Sequence, residues 1–137
     1  MKNYLLIILI VSSLISSCQG PQKSTSAASS SLLSGTWELK SATTPNHKFE
    51  ELFSEKIPQI ILNLADSTVN GNSSCNSFSG KFEASNGNIS FSKNMAMTRM
   101  YCQGDGERVF MELLSKVESY KISADTILQL YAQETLQ

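Results

Sequence analysis

The stretch KFEASNGNISF, residues 81–91, contains the clearest fold signal in the sequence. Asn86-Gly87 favours a type I′ turn, because both central positions of that turn need a positive φ. On each side of this pair, apolar residues alternate with polar ones, as in a strand with one buried face. The segment therefore predicts a β-hairpin that joins strands at 81–84 and 88–91.

Short strands are also predicted on both sides of this hairpin. Near the start of the chain, Trp37 and Leu39 alternate with polar residues, and similar patterns recur later between turn-forming residues. Residues 48–56 predict one or two helical turns, which Pro58 ends. Together with the hairpin, strands are predicted at residues 35–40, 59–64, 68–72, 81–84, 88–91, 120–122 and 126–131.

One amphipathic helix is predicted late in the chain, with Asp105 as its N-cap. Its apolar stripe consists of Val109, Phe110, Leu113, Leu114 and Val117. Many short strands and one helix predict a mainly β fold, an antiparallel meander that curls into a barrel or half-barrel. The single helix of the C-terminal half is expected to pack on the open, apolar side of this sheet.

The composition excludes several classes of partner. The 137 residues are enough for one ordinary domain, and 11 basic residues against 12 acidic ones leave a formal charge of -1. Nucleic-acid binding would require a basic patch or run, and the sequence has no basic run. The same balance argues against electrostatic docking to anionic lipid, so membrane attachment needs another origin.

The N-terminus has the features of a bacterial lipoprotein signal. Lys2 precedes the apolar run YLLIILIV at residues 4–11, which is too short to span a bilayer. The sequence LISSC at residues 14–18 resembles the bacterial lipobox, and this resemblance implies cleavage before Cys18 and acylation at that residue. Several acyl chains anchor a protein far more firmly than one. We therefore expect a membrane anchor at Cys18.

These features divide the chain into three parts. We predict a signal peptide at residues 1–17, the lipidated cysteine with a flexible tether at residues 18–31, and one domain at residues 32–137. Gln19 resembles the residue that follows the cysteine in outer-membrane lipoproteins. The expected location is the cell envelope, on the outer membrane and facing the periplasm.

Three motifs occur in order within the domain. They are Gly35-x-Trp37-x-Leu39, Val69-x-Gly71-x3-Cys75-Asn76-x-Phe78-x-Gly80-x-Phe82 and Thr98-Arg99-Met100-x-Cys102. The arrangement resembles the META domain of the heat-inducible HslJ lipoproteins of bacteria, from Leu33 to about Leu130. The resemblance implies a small β-rich fold with one helix, a link to envelope stress and no established enzymatic activity. The sequence departs from it at Ser74, where the family commonly has glycine, and this departure concerns the local backbone.

Cys75 and Cys102 are the thiols that remain once Cys18 is acylated. An even number of cysteines in an oxidising compartment favours a disulfide, which would stabilise so small a domain. Two free buried thiols or a redox-active pair are the alternatives, although the close spacing of redox cysteines is absent.

We expect no catalytic residue, no cofactor and no metal, and therefore no enzyme. Cysteine catalysis needs a base, and the sole histidine, His47, lies in a polar loop with nothing to orient it. The thioethers of Met95, Met97 and Met100 are soft ligands that suit Cu(I). A strand would place Met100 on the opposite face from the other two, so flexible side chains that fill a barrel end are the favoured interpretation.

Residues 70–79, NGNSSCNSFS, are unusually rich in asparagine and serine. Both residue types favour tight loops and bulges, and a polar recognition surface for a glycan, a peptide or another protein is the functional alternative. The leading hypothesis is a monomer that binds another envelope component. The alternative is a carrier of a lipid or small apolar ligand, in a cavity between the sheet and Val109, Phe110 and Leu113.

Overall fold

The computed structural model describes residues 31–132, so the predicted signal peptide, lipidation site and nearly all of the tether lie outside the described residues. Within this range the chain forms eight strands and two helices. The strands are β1 (Gly35–Glu38), β2 (Gln59–Asn63), β3 (Thr68–Asn72), β4 (Ser77–Ser85), β5 (Asn88–Phe91), β6 (Ala96–Met97), β7 (Val117–Ser123) and β8 (Ile127–Ala132). The helices are α1 (Phe49–Leu52) and α2 (Gly106–Ser115). Between residues 31 and 132, no helix is long and apolar enough to cross a membrane.

The sheet is an antiparallel meander with the strand order β1-β2-β3-β4-β5-β7-β8. Strand β6 leaves this path and pairs with the first half of β4. The sheet curls into a nearly closed barrel, and α2 is the longer of the two helices. The predicted fold class, a mainly β meander with one substantial helix, is thereby confirmed.

Strand β4 is longer than its predicted core at residues 81–84, because it also includes residues from the asparagine- and serine-rich stretch. Asn70 pairs with Ser79, and Asn72 pairs with Ser77, across β3 and β4. Residues 70–72 belong to the strand predicted at 68–72, and only residues 73–76 of this stretch lie outside strands. The expectation of a loop or bulge was therefore wrong for residues 77–79. The reason is burial: Phe78 is 4% exposed, and its packing outweighs the turn preference of its polar neighbours.

The predicted helix stripe also needs one correction. Helix α2 ends at Ser115, and Val117 is the first residue of β7, although it is buried as expected. The two-residue strand β6 was not predicted, since it is too short to show a period. Its Met97 pairs with Phe78, so this segment is held by a longer neighbour.

The barrel interior is filled by large apolar side chains. Phe82, Leu62 and Ile89 are each at most 2% exposed, and α2 adds Phe110 and Leu114. Burial of each such side chain contributes about 1.5–3 kcal/mol relative to an exposed one. The ring centroids of Phe78 and Phe110 lie 6.1 Å apart, which ties the helix to the first half of β4. The helix thus packs on the sheet as predicted.

Helix α2 begins against the end of α1. A Cβ atom added to Gly106 would lie 2.3 Å from the backbone oxygen of Leu52, so no other residue fits there without movement. Asp105 occupies the predicted N-cap position but makes no capping hydrogen bond, because its Oδ1 accepts instead from Nε of Arg108 at 3.0 Å. This placement directs Glu107, in the first turn, toward the loop between β3 and β4.

Candidate functional site

A buried asparagine lies at the centre of the candidate site. Asn76, 2% exposed, belongs to the loop at residues 73–76. Its Oδ1 accepts hydrogen bonds from the Thr98 hydroxyl and from the Met100 backbone N–H, both at 2.8 Å. Its Nδ2 donates to the Met100 carbonyl oxygen at 3.1 Å. One side chain therefore holds both polar backbone groups of Met100.

The same asparagine also contacts helix α2 through Glu107. Its Nδ2 lies 3.2 Å from Oε1 of Glu107, and its backbone N–H donates to Oε2 at 3.1 Å. The hydroxyl of the fully buried Ser73 donates to the same Oε2. A carboxylate in the first turn of a helix is also favoured by the helix dipole. We call Ser73, Asn76, Thr98, Met100 and Glu107 the Asn76 network.

A disulfide closes this network from the outside. Cys75 and Cys102 are bonded, with their Cα atoms 5.9 Å apart and a sequence separation of 27. The predicted pairing is confirmed, and the alternative of two free thiols is wrong. Nδ2 of Asn76 lies 3.1 Å from Sγ of Cys102, so the disulfide and the network form one unit.

The departure at Ser74 has a structural consequence. Ser74 adopts a φ of 85°, in the left-handed region that glycine occupies readily. For other residues this conformation costs roughly 1–2 kcal/mol. The glycine that the resemblance to the META domain implies at this place, directly before the cysteine, would avoid this strain.

We expect loss of the disulfide to destabilise the domain strongly. In the Cys75→Ala/Cys102→Ala double variant, the free energy of unfolding should fall by about 3–4 kcal/mol, because the unfolded chain regains the freedom of the closed loop. Urea denaturation of the variant and the oxidised wild type measures this difference. Wild type treated with dithiothreitol is the control and should approach the variant. Equal midpoints for variant and oxidised wild type would show that the covalent bond contributes nothing.

The network brings three potential metal ligands together. One atom from each of Cys75, Cys102 and Glu107 lies within 4.8 Å of the others. However, the two sulfur atoms are bonded to each other, and the amide nitrogen of Asn76 is within 3.2 Å of both Cys102 Sγ and Glu107 Oε1. An amide N–H₂ group is a hydrogen-bond donor, not a cation ligand. The cluster thus fits a hydrogen-bond network and does not fit a metal.

Beyond the network, the chain presents an exposed loop, which we define as residues 99–101. Tyr101 is 93% exposed and Met100 is 62% exposed, although the backbone beneath them is held by Asn76. An open depression of ≈ 610 Å³, which we call the methionine groove, adjoins this loop. It is lined by Asn76, Met95, Ala96, Met97, Thr98, Arg99, Met100 and Glu107.

The methionines take two different positions. Met95 and Met97 pack against the core, and Met95 occupies the space above Gly80, where an added Cβ would lie 2.8 Å from its Cγ. The side chain of Met100 extends toward solvent. Met95 and Met97 thus fill space against the core with flexible side chains, whereas Met100 does not.

A group of charged side chains lies away from this site, on the exposed face of α2. The pKa of Glu112 lies below its ordinary value because Lys116 donates a hydrogen bond to it and attracts its charge, with a smaller contribution from Arg108. A lowered carboxylate pKa stabilises the fold above the unfolded pKa, and that stabilisation is lost as the pH falls. The pair is solvated, so its contribution is small.

The sequence identified part of this site. Cys75 and Cys102 were singled out, whereas Ser73, Asn76 and Glu107 were treated as loop or helix-start residues. Asn76 stands directly after Cys75 in the family motif, which was the available signal for its importance. His47 lies in the loop before α1 and does not belong to the cluster around Cys75.

Comparison with known proteins gives one match. The family model for the META domain matches residues 30–137. No curated protein and no solved structure matches the chain.

Proposed function

The chain belongs to the META domain family, and from that premise we propose that it works by binding another component of the cell envelope, without catalysis. The proposal includes attachment to the membrane through acylated Cys18, on the outer membrane facing the periplasm. A contribution to stress tolerance is part of the same proposal. It draws on the lipobox-like sequence and on the resemblance to the HslJ lipoproteins.

The observation that carries the proposal is that the side chain of Tyr101 is exposed while the backbone on both sides of it is held by bonds to other residues. The residue before it is hydrogen-bonded through both its N–H and its C=O to Asn76, and the residue after it is disulfide-bonded. Tyrosine is enriched among the residues that dominate protein interfaces. A loop already held in one conformation loses little entropy when it binds, so its contacts contribute more fully to affinity.

We propose that the site is not catalytic because its reactive groups are already bonded to other residues. Cys75 is bonded to Cys102, and a disulfide sulfur is not available as a nucleophilic thiolate. The oxygens of Glu107 accept hydrogen bonds from the Ser73 hydroxyl and from the side chain and backbone N–H of Asn76. Because both oxygens of Glu107 are engaged in these hydrogen bonds, they are less available to act as a general acid or base.

The alternative, a carrier of lipid or a small apolar ligand, has no specific observation in its favour. It requires a cavity against Val109, Phe110 and Leu113. In the described part of the chain, Val109 and Phe110 are buried, and Phe110 packs on Phe78. The methionine groove and a smaller depression of ≈ 380 Å³ on the β4–β5 hairpin are lined by other residues.

Photo-crosslinking in cells tests the proposed function. We would replace Tyr101 with p-benzoylphenylalanine in the full chain and irradiate living cells. The expected result is a discrete crosslinked partner that disappears without irradiation. Tyr131, an exposed tyrosine on β8, takes the same replacement as a matched control and should not capture that partner. No crosslink at position 101, with normal protein levels, would count against binding through this loop.

A further inference from the structure

We propose that the methionine groove recognises an extended peptide segment of the partner, in which an acidic side chain lies close to a large apolar one. Arg99 would bind the carboxylate, and the thioethers of the groove would contact the apolar side chain. This inference rests on the proposed function and names the chemistry of its partner.

The first step in the argument is that Arg99 has no partner within the described chain. Some exposed cations are paired there, as Arg108 is with Asp105 and Glu112, whereas Lys93 and Lys121 in the described chain are not. Arg99 differs from these unpaired lysines because it lines the methionine groove. Arg99 is exposed and forms no ion pair or hydrogen bond with any residue between positions 31 and 132. A guanidinium group matches a carboxylate in geometry and can bind it through two parallel hydrogen bonds.

The second step concerns the one acidic group in the groove. Glu107 would repel an acidic ligand if its charge were open to the groove. Its two oxygens instead face the backbone and side chain of Asn76 and the hydroxyl of Ser73, and these donors offset the negative charge. The charge left available in the groove is therefore the positive charge of Arg99.

The third step is the apolar surface beside Arg99. Met95, Met97 and Met100 line the groove, and methionine adapts its shape to differently shaped apolar side chains. Such flexible surfaces suit peptide partners that vary in sequence. Tyr101 follows directly and adds an exposed aromatic ring.

The openness of the groove favours a peptide over a fatty acid, which would also combine a carboxylate with an apolar chain. The groove is a depression on the surface, and Asn76 and Thr98 add polar groups to its lining. An alkyl chain would stay largely in water there. A peptide backbone, by contrast, can use polar groups along its length.

Selection from a random peptide library tests this inference. The full chain, purified in detergent, would be immobilised and used to select phage-displayed 12-residue peptides. We expect the enriched peptides to carry Asp or Glu within two positions of Leu, Met or Phe. Their affinity should fall at least about tenfold in Arg99→Glu, where attraction becomes repulsion. Lys121→Glu changes the net charge equally at an exposed position of β7 and should leave the affinity unchanged.

Three results would overturn the inference. One is enrichment of peptides without acidic residues, another is undiminished affinity in Arg99→Glu, and the third is competition by micromolar dodecanoate, which would assign the groove to a lipid. Crosslinking at position 101 distinguishes failure of this inference from failure of the proposed function. If it persists in Arg99→Glu cells, the binding function stands and the acidic-peptide inference fails. If it is absent from wild type, the proposed function itself fails.

Discussion

Replacing Asn76 with leucine is expected to lower the free energy of unfolding by about 3–5 kcal/mol, because the hydrogen bonds of this buried side chain to several partners are lost at once. The Met100 N–H and carbonyl, the Thr98 hydroxyl and the Glu107 carboxylate all depend on this side chain. Leucine has a similar volume, so the loss reports hydrogen bonding more than packing. Urea denaturation of oxidised protein measures the change.

Asn70→Leu is the matched control for this experiment. Asn70 lies on β3 with its side chain exposed, and the same chemical change there removes no buried hydrogen bond. We expect its free energy of unfolding to stay within about 0.5 kcal/mol of wild type, as for most surface substitutions. Similar losses in both variants would mean that the Asn76 network contributes little to stability.

Asn76→Asp adds a pH dependence to the same prediction. The introduced carboxylate would keep the acceptor for Thr98 and Met100 but place negative charge where Nδ2 now faces Glu107. That repulsion raises the pKa of the pair in the folded state above its unfolded value. The destabilisation is then complete at neutral pH and shrinks as the pH falls through the raised folded pKa. Unfolding measured from neutral to acidic pH should show this recovery relative to wild type.

Gly71→Ala is expected to lower the free energy of unfolding by about 2–4 kcal/mol through steric conflict in the sheet. A Cβ at this position would lie 2.1 Å from the backbone oxygen of Gln59 on β2 and 3.0 Å from Cζ of Phe78 on β4. A backbone oxygen in a paired strand cannot move without disturbing the ladder between β2 and β3. Thermal and urea denaturation would both report the loss.

Gly80→Ala makes the same chemical change on the neighbouring strand and serves as the control. Its Cβ would meet the flexible side chain of Met95, at 2.8 Å from Cγ, and no backbone atom within 4 Å is among its nearest contacts. We expect a loss below about 1.5 kcal/mol, because methionine can change rotamer. In a Met95→Ala background the effect of Gly80→Ala should largely vanish. A greater loss at Gly80 than at Gly71 would contradict this explanation.

Much of the fold could be predicted from local sequence patterns. Asn86-Gly87 specified the β4–β5 hairpin because its turn geometry depends only on two residues. The apolar stripe that includes Phe110 and Leu114 located α2 for the same kind of reason. The disulfide between Cys75 and Cys102 followed from the number of cysteines and the expected compartment. Each of these signals is carried by residues close in sequence or by a simple count.

Other features were decided only when distant segments came together. Ser77 and Ser79 belong to β4 because β3 and β6 pair with that strand on either side, which no local preference for turns reveals. Asn76 became the centre of the site only where Thr98, Met100 and Glu107 reach it from 22 to 31 positions away. The exposure of Tyr101 likewise depends on that anchorage. The structural role of a buried polar side chain depends on its hydrogen-bond partners, and only the tertiary structure determines which partners are within reach.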